Sequence, residues 1–127
     1  RRMIPLNIYL ADATPEQTLQ QAFALRDLFG VSRVVIHRVR FAVSAAAECG
    51  STQPGPYSAG TKKSTGAGDR FNAGFCLGLA LGLDGSESLV LGCAASGFFV
   101  CNARSASHQE LVGFLERWAA GSVDRSS

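Results

Sequence analysis

The cysteines of this chain are too far apart to suggest a metal site or a disulfide framework. Cys49, Cys76, Cys93 and Cys101 form no C-x-x-C pair, the spacing that is typical of zinc and redox sites. Two of them fall inside apolar segments with helical spacing. We therefore expect reduced cysteines that pack in the core, and no metal bound by them.

The chain also lacks a large charge excess and a long apolar run. Its formal net charge is +2 over 127 residues and it has no basic stripe, so nothing indicates a nucleic-acid partner. The longest apolar run, residues 73–83, is broken by three glycines and is far shorter than the ~20 residues that cross a bilayer. Residues 1–4 do not resemble a secretory signal. We expect no nucleic-acid partner, no membrane partner and a cytoplasmic location.

Apolar residues are plentiful, at 46% of the chain. This content argues against disorder and is enough for the core of one small domain. The length suits one domain over residues 1–127 but is short for an enzyme with two substrates. Because the numbering begins at Arg1 rather than at a methionine, we expect the chain to be a fragment.

Local signals in the first third of the chain predict an α/β fold. Thr14 as N-cap, Pro15 at the first helical position and Gln17 as the partner in a capping box predict a helix start. Gly30 predicts its end, and the apolar residues 31–36 then predict a buried strand. A helix, a glycine and an apolar strand are half of a βαβ unit, so we predict a parallel sheet.

The other elements are predicted from similar signals. Residues 3–10 suggest an edge strand, and residues 38–42 alternate as a second strand that folds back would. Residues 48–60 are rich in turn formers and suggest a loop. Two capping boxes, Asp84 with Glu87 and Ser107 with Glu110, together with amphipathic spacing predict three C-terminal helices. These helices cover about 67 to 82, 85 to 101 and 108 to 119, and residues 122–127 form a frayed tail.

The segment from Gly66 to Asp69 has the properties of an anion-binding turn. Gly66 and Gly68 allow the backbone to turn tightly and to approach a ligand. The helix that follows offers unpaired N–H groups and the positive end of its dipole. Asp69 in that first turn is stabilised as a carboxylate and could accept a proton. Alternatively, Asp69 only complements the helix dipole and the glycines only shape a turn.

The residues around this turn resemble a family signature. The segment is not a P-loop, because the G-x-x-x-x-G-K-[ST] spacing is missing, and Phe71 replaces the third glycine of a dinucleotide fingerprint. Residues 64–75, S-T-G-A-G-D-R-F-N-A-G-F, closely resemble the signature of ribokinase-like (PfkB family) carbohydrate kinases, which is roughly D-T-T-G-A-G-D-x-F-x-x-G-F. The resemblance covers residues 14–119.

That resemblance implies a partial ribokinase-like α/β fold whose sugar-binding N-terminal half is absent. It implies ATP-dependent phosphorylation of a sugar or similar small alcohol by a parent protein, with Mg²⁺ as a second cofactor. By the same resemblance Asp69 is the catalytic base, and the backbone of Gly66, Ala67 and Gly68 is the anion hole for the γ-phosphate. The chain alone would be an incomplete, inactive kinase.

The resemblance also implies nucleotide contacts from Thr65, Gly66 and Gly68. Cys93 occupies a helix position where many family members place Asn or His near the adenine, although a core thiol is an equally good interpretation. No residue is expected to bind a metal directly.

Several family features are missing. No N-x-x-E motif precedes the turn, and residues 37–42 replace a T-x-G-x-x-G nucleotide loop without its glycines. Arg38 or Arg40 could supply a cation there, or both could be solvated edge residues. Lys63 replaces an acidic residue that helps to bind a monovalent cation, so activation by potassium is not expected. His37 and His108 have no partner at metal-ligand spacing and are interpreted as structural or surface residues.

Two alternatives from other functional classes remain open at the level of sequence. One is a non-catalytic nucleotide-binding or regulatory remnant, which the lost glycines favour. The other is a structural or association domain, because removal of a partner domain exposes apolar surface. We therefore expect either homo-oligomerisation or association with a missing N-terminal half.

Overall fold

A computed structural model describes residues 13–47, 49–56, 62 and 65–121. The strand predicted over residues 3–10 and the tail predicted over residues 122–127 lie outside this range. The described elements, in chain order, are α1 (Pro15–Phe29), β1 (Arg33–His37), β2 (Phe41–Ala46), β3 (Cys49–Pro54), α2 (Ala67–Ala80), α3 (Gly85–Asn102) and α4 (His108–Ala119).

The three described strands form a sheet in the order β1-β2-β3, and both pairings are antiparallel. The prediction of a parallel sheet is therefore wrong for these strands. The physical reason is the length of their connections. Only residues 38–40 join β1 to β2, whereas a parallel crossover needs about a dozen residues or more. The α/β class is confirmed.

The prediction of a loop over residues 48–60 is wrong for residues 49–54, which form β3. Residues 49–54 pair with all six residues of β2, from Ala46 opposite Cys49 to Phe41 opposite Pro54. Pairing with a preformed neighbour outweighs the turn preference of glycine and proline in this segment, as tertiary contacts often outweigh local propensity. Pro54 is tolerated because it ends an outer strand.

Three helix starts have the predicted capping boxes. At α1 the Thr14 hydroxyl accepts a hydrogen bond from the Gln17 amide at 3.1 Å, and the Gln17 side chain accepts one from the Thr14 amide at 3.0 Å. The same reciprocal pairs form between Asp84 and Glu87 at α3 and between Ser107 and Glu110 at α4. These pairs satisfy amide groups that have no acceptor within the helix.

The central strand β2 is buried on both faces, because helices cover each side of the sheet. Val43 and Ala45 form a cluster with Ala22 of α1. Ala42, on the opposite face, packs with Phe71 of α2 and with residues of α3. The alternation of β2 side chains therefore divides the core into two layers.

Helix α2 lies close against α3 because glycines stand at their contact. A Cβ atom placed on Gly74 would lie 2.8 Å from the Leu91 carbonyl oxygen and 2.9 Å from the Gly92 Cα. One placed on Gly78 would lie 2.6 Å from the Ser88 hydroxyl oxygen. These glycines therefore allow the two helices to pack closely.

Large apolar side chains remain exposed on α2 and at its C-cap. Leu77, Leu79 and Leu81 are 49%, 39% and 67% exposed. Such residues provide surface through which the chain could associate, and the expected association remains a prediction. Among the helices in the described ranges, none combines the length and apolar character that crossing a membrane requires.

The helix contact predicts opposite effects of alanine at two glycines. Gly74→Ala should lower the free energy of unfolding by about 1–3 kcal/mol, because a methyl group would overlap the backbone of α3. Gly113→Ala in α4 is the matched control, since its nearest neighbour is the flexible Arg117 guanidinium at 3.4 Å. It should stabilise the protein by roughly 0.5–1 kcal/mol through helix propensity. Urea denaturation measures the free energy of unfolding of both variants. Equal stabilities of Gly74→Ala and Gly113→Ala would contradict the close packing of α2 against α3.

Candidate functional site

The turn before α2 has a backbone conformation that favours glycine. Gly66 is the N-cap of α2 with φ of 98°, and it has no side chain to cap the helix. A Cβ atom there would lie 3.0 Å from an Arg70 guanidinium nitrogen and 3.4 Å from the Phe99 ring. A positive φ and two close neighbours therefore both select glycine at this position.

Within the described residues, the amides that follow Gly66 have no hydrogen-bond acceptor. Ala67, Gly68 and Asp69 are the first three residues of α2, so their N–H groups have no acceptor within the helix. Gly68 is exposed, and no atom lies within 4 Å of the Cβ it would carry as alanine. A phosphate-sized anion can therefore approach the backbone from this side, where the helix dipole favours negative charge.

The Asp69 carboxylate lies beside these amides and is exposed. It makes no hydrogen bond or ion pair with any residue in the described part of the chain. The structure thus brings Asp69 next to Gly66, Ala67 and Gly68, as continuity of the chain requires, and it leaves the carboxylate accessible. Thr65 is also exposed and lies immediately before this turn.

Arg70 connects the turn to the far end of α3. Its Nη1 donates to the Gly66 carbonyl oxygen at 3.4 Å, and its Nε donates to the Ser105 hydroxyl at 3.1 Å. The guanidinium lies over the Phe99 ring, 4.2 Å from its centroid. The sequence carries no signal for this role, because Phe99 and Ser105 lie 29 and 35 positions further along the chain.

The hairpin between β1 and β2 stands where the family resemblance would place a nucleotide loop. His37 stacks on Phe71 of α2 with ring centroids 4.1 Å apart and planes 5° apart. Burial lowers the pKa of His37 below its usual value, so the neutral imidazole is favoured. The side chain fixes the end of β1 against α2, which supports its interpretation as a structural residue.

The two arginines of this hairpin differ in exposure. Arg38 is buried, its amide donates to the Phe41 carbonyl, and its guanidinium lies 5.9 Å from the Phe41 ring centroid. Arg40 is exposed, and its carbonyl accepts from the Gly55 amide. Buried Arg38 is therefore poorly placed to reach a phosphate, and neither arginine restores the close backbone approach that glycines would permit.

Cys93 lies in the core of the described structure. Its side chain is 3% exposed and packs with Ala42, Phe71 and Leu89. Burial raises the pKa of its thiol to about 12 from an ordinary value of 9.0. These features are those of a packing residue, and the predicted contact of Cys93 with a nucleotide gains no support from its position.

The described residues offer few side chains that could bind a metal ion. Within the described residues, no three His, Cys, Asp or Glu side chains lie together as potential metal ligands. The exposed Asp69 carboxylate is the acidic group of the turn. A Mg²⁺ ion commonly keeps several waters and binds one or two carboxylates together with substrate phosphates, so this donor set fits an ion that is held mainly by a nucleotide.

The sequence of this chain matches a known protein family and a curated relative. The family model for prokaryotic ketohexokinase matches residues 3–118. A ketohexokinase from Haloferax volcanii is 34% identical over 116 residues, which cover 91% of this chain and 30% of the relative. The chain therefore spans about a third of the length of this curated relative.

Solved structures share the fold at lower identity. Ribokinase from Thermotoga maritima aligns with a TM-score of 0.68 and 22% identity, over 77% of this chain and 34% of the other. Phosphofructokinase-2 from Escherichia coli, in complex with substrates and products, aligns with a TM-score of 0.69 and 21% identity, over 84% and 35% of the two chains. A nucleoside kinase from Methanocaldococcus jannaschii aligns with a TM-score of 0.61.

The positions of the cysteines predict selective alkylation. Cys49 and Cys76 are exposed whereas Cys93 and Cys101 are buried. In the folded protein, iodoacetamide should modify the first pair and leave the second unmodified, as peptide mass spectrometry would report. In urea all four should react. Rapid modification of Cys93 in the folded protein would contradict its placement in the core.

The raised pKa of Cys93 adds a dependence on pH. The unfolded chain releases the thiol proton near its ordinary pKa of 9.0, whereas the folded chain holds it up to about pH 12. The stabilising contribution of the neutral thiol is therefore complete below about pH 9 and is lost as pH rises towards 12. In Cys93→Ser, whose hydroxyl does not titrate, urea denaturation should show less loss of stability across this range.

Proposed function

The chain belongs to the prokaryotic ketohexokinase family of ribokinase-like (PfkB) carbohydrate kinases, and we propose that it supplies the phosphate-binding turn and the general base of such a kinase. The reaction is transfer of the γ-phosphoryl group of ATP to a sugar hydroxyl by a protein that includes this chain. Because the chain spans about a third of its curated relative, the complete activity is assigned to the longer protein.

The observation that carries this proposal is that one helical turn combines amides and a carboxylate for which the described residues provide no hydrogen-bond partner. Ala67 and Gly68 present N–H groups without an intrahelical acceptor, and Gly68 leaves their surroundings open. Asp69 adds an exposed carboxylate that no described residue binds. Phosphoryl transfer requires little more from a protein than positioning, a base and donors for the developing charge.

The proposed reaction assigns one task to each group. Asp69 takes the proton of the substrate hydroxyl as that oxygen attacks the γ-phosphorus of ATP. A bond forms between this oxygen and phosphorus, and the bond from phosphorus to the β,γ-bridging oxygen breaks, so ADP leaves with the bond's electron pair. The amides of Ala67, Gly68 and Asp69 stabilise the charge on the transferred group, and the dipole of α2 adds to this effect.

Mg²⁺ would neutralise phosphate charge when it is bound with ATP. In the described residues Asp69 is the acidic side chain at the turn, and no ready-made cluster of three ligands accompanies it. We assign the ion to the nucleotide phosphates and water rather than to a protein cage. The role of Asp69 as base does not depend on direct metal coordination.

The class of substrate follows from the family. The Haloferax volcanii relative is a ketohexokinase, so a six-carbon ketose is the first substrate to test for the longer protein. Thr65, with Gly66 and Gly68, is proposed to contact the nucleotide, while the sugar is held by residues outside this chain. Without those residues the hydroxyl is not held in line with the phosphate, and the chain alone should have negligible activity.

A second candidate is a nucleotide-binding segment that does not catalyse transfer. The structure of the β1–β2 hairpin favours it, because Arg38 is buried and the hairpin lacks the glycines that would let its backbone approach a phosphate. Both candidates predict that nucleotide binds at the turn. Turnover by the longer protein distinguishes them.

The proposed base predicts a large loss of turnover in Asp69→Asn. In a longer protein that contains this chain, the rate of ADP release with a ketohexose should fall about 10²- to 10⁴-fold, the range for loss of a general base. The matched control is Asp84→Asn at the start of α3, where asparagine caps a helix as well as aspartate. It should retain activity.

A coupled ADP-release assay measures both variants, with a panel of ketoses and aldoses as substrates. Nucleotide affinity should change little in Asp69→Asn. Full turnover in this variant would remove Asp69 from the mechanism, and robust turnover by the 127-residue chain alone would show that the sugar is bound within these residues.

A further inference from the structure

We infer that Arg70 is a positioning residue that holds the Gly66 turn in the geometry required to bind phosphate. The inference rests on the proposed function of that turn. Three contacts carry it: a hydrogen bond to the Gly66 carbonyl, a hydrogen bond to the Ser105 hydroxyl, and the guanidinium lying over the Phe99 ring. We define these contacts as the Arg70 clamp.

The clamp acts on the part of the turn that has least support of its own. Gly66 has no side chain with which to cap α2, and its φ of 98° is one of many conformations that glycine adopts freely. Its carbonyl accepts from the Arg70 amide at 3.3 Å and also from the Arg70 side chain at 3.4 Å. Arg70 therefore restrains the peptide that directs the following amides.

The other end of the clamp lies on a separately fixed segment. Ser105 belongs to the connection between α3 and α4, which starts at Ala103 with a positive φ of 60° and ends at the Ser107 capping box. Phe99 is 2% exposed and belongs to the core side of α3. The turn is thus tied to residues that are held by their own packing and capping.

An arginine suits these contacts better than a lysine. Its planar guanidinium donates in two directions while its face stacks on an aromatic ring, whereas a lysine ammonium is a compact charge without this fork. A lysine at position 70 could keep the positive charge near Phe99 but could not reproduce both hydrogen bonds in the same geometry. Arg70→Lys therefore separates geometry from charge.

The chain provides a matched control in Arg104. Its guanidinium lies 5.2 Å from the centroid of the Phe98 ring, next to Phe99 in the sequence, and pairs with Glu110. Within the described part of the chain, its hydrogen bonds and ring contact involve Glu110 and Phe98 and not the Gly66 turn. Arg104→Lys thus removes a guanidinium from a neighbouring aromatic ring without changing the clamp.

The first test examines the turn in the 127-residue chain without ligand. Amide resonances of residues 66–69 should change in Arg70→Lys and remain as in the wild type in Arg104→Lys. The amide of residue 70, which donates to the Gly66 carbonyl, should exchange roughly two- to tenfold faster in Arg70→Lys, the equivalent of losing one ordinary hydrogen bond. Unchanged resonances and exchange in Arg70→Lys would overturn the clamp, whether or not the protein binds nucleotide.

The second test links the clamp to binding. ADP affinity measured by calorimetry should weaken roughly two- to tenfold in Arg70→Lys and stay constant in Arg104→Lys. Ser105→Ala should weaken ADP binding less, and in the double variant the two effects should not multiply, because both residues act through one contact. Multiplicative effects, or ADP affinity equal to that of the wild type in Arg70→Lys, would overturn the positioning role.

The two failures can be told apart. If the wild-type chain is folded and does not bind ADP, the proposed function of the turn fails, while the resonance and exchange experiment still decides whether the clamp holds the turn. If the wild type binds ADP and Arg70→Lys binds it equally well, the turn keeps its function and Arg70 has no positioning role.

Discussion

The close approach of α2 to α3 determines where the candidate site lies. Gly74 and Gly78 of α2 face backbone and small side chains of α3 at distances that leave no space for a methyl group. The two helices run in opposite directions. The start of α2 therefore lies beside the end of α3, and the end of α2 lies beside the start of α3. This arrangement brings Gly66 against Phe99, and it allows Arg70 to reach Ser105. The glycines of the helix contact therefore serve the turn that lies at its end.

Much of the helical structure could be predicted from the sequence because its signals are local. The Thr14, Asp84 and Ser107 caps each involve a partner three residues away, and all three formed as predicted. The turn could be predicted for the same reason, since Gly66, Gly68 and Asp69 are neighbours in the chain. The structure establishes the positions and accessibility of these residues. Their functional roles remain predictions.

Features that depend on distant residues were not predicted correctly. Strand β3 forms because β2 is available for pairing, and this pairing outweighs the turn-forming composition of residues 49–54. The antiparallel direction follows from connections too short for a crossover. His37 stacks on Phe71, which lies 34 positions further along the chain. Arg70 donates to Ser105, which lies 35 positions further along. No periodicity in the sequence indicates such contacts.

The central claim is that the Gly66 to Asp69 turn binds the phosphates of a nucleotide. A titration of the ¹⁵N-labelled 127-residue chain with ADP, followed by amide resonances, tests it most directly. The resonances of Gly66, Ala67, Gly68 and Asp69 should shift first and most, and adenosine without phosphates should fail to shift them. The absence of shifts at millimolar ADP in the folded chain, or shifts confined to α4, would contradict it.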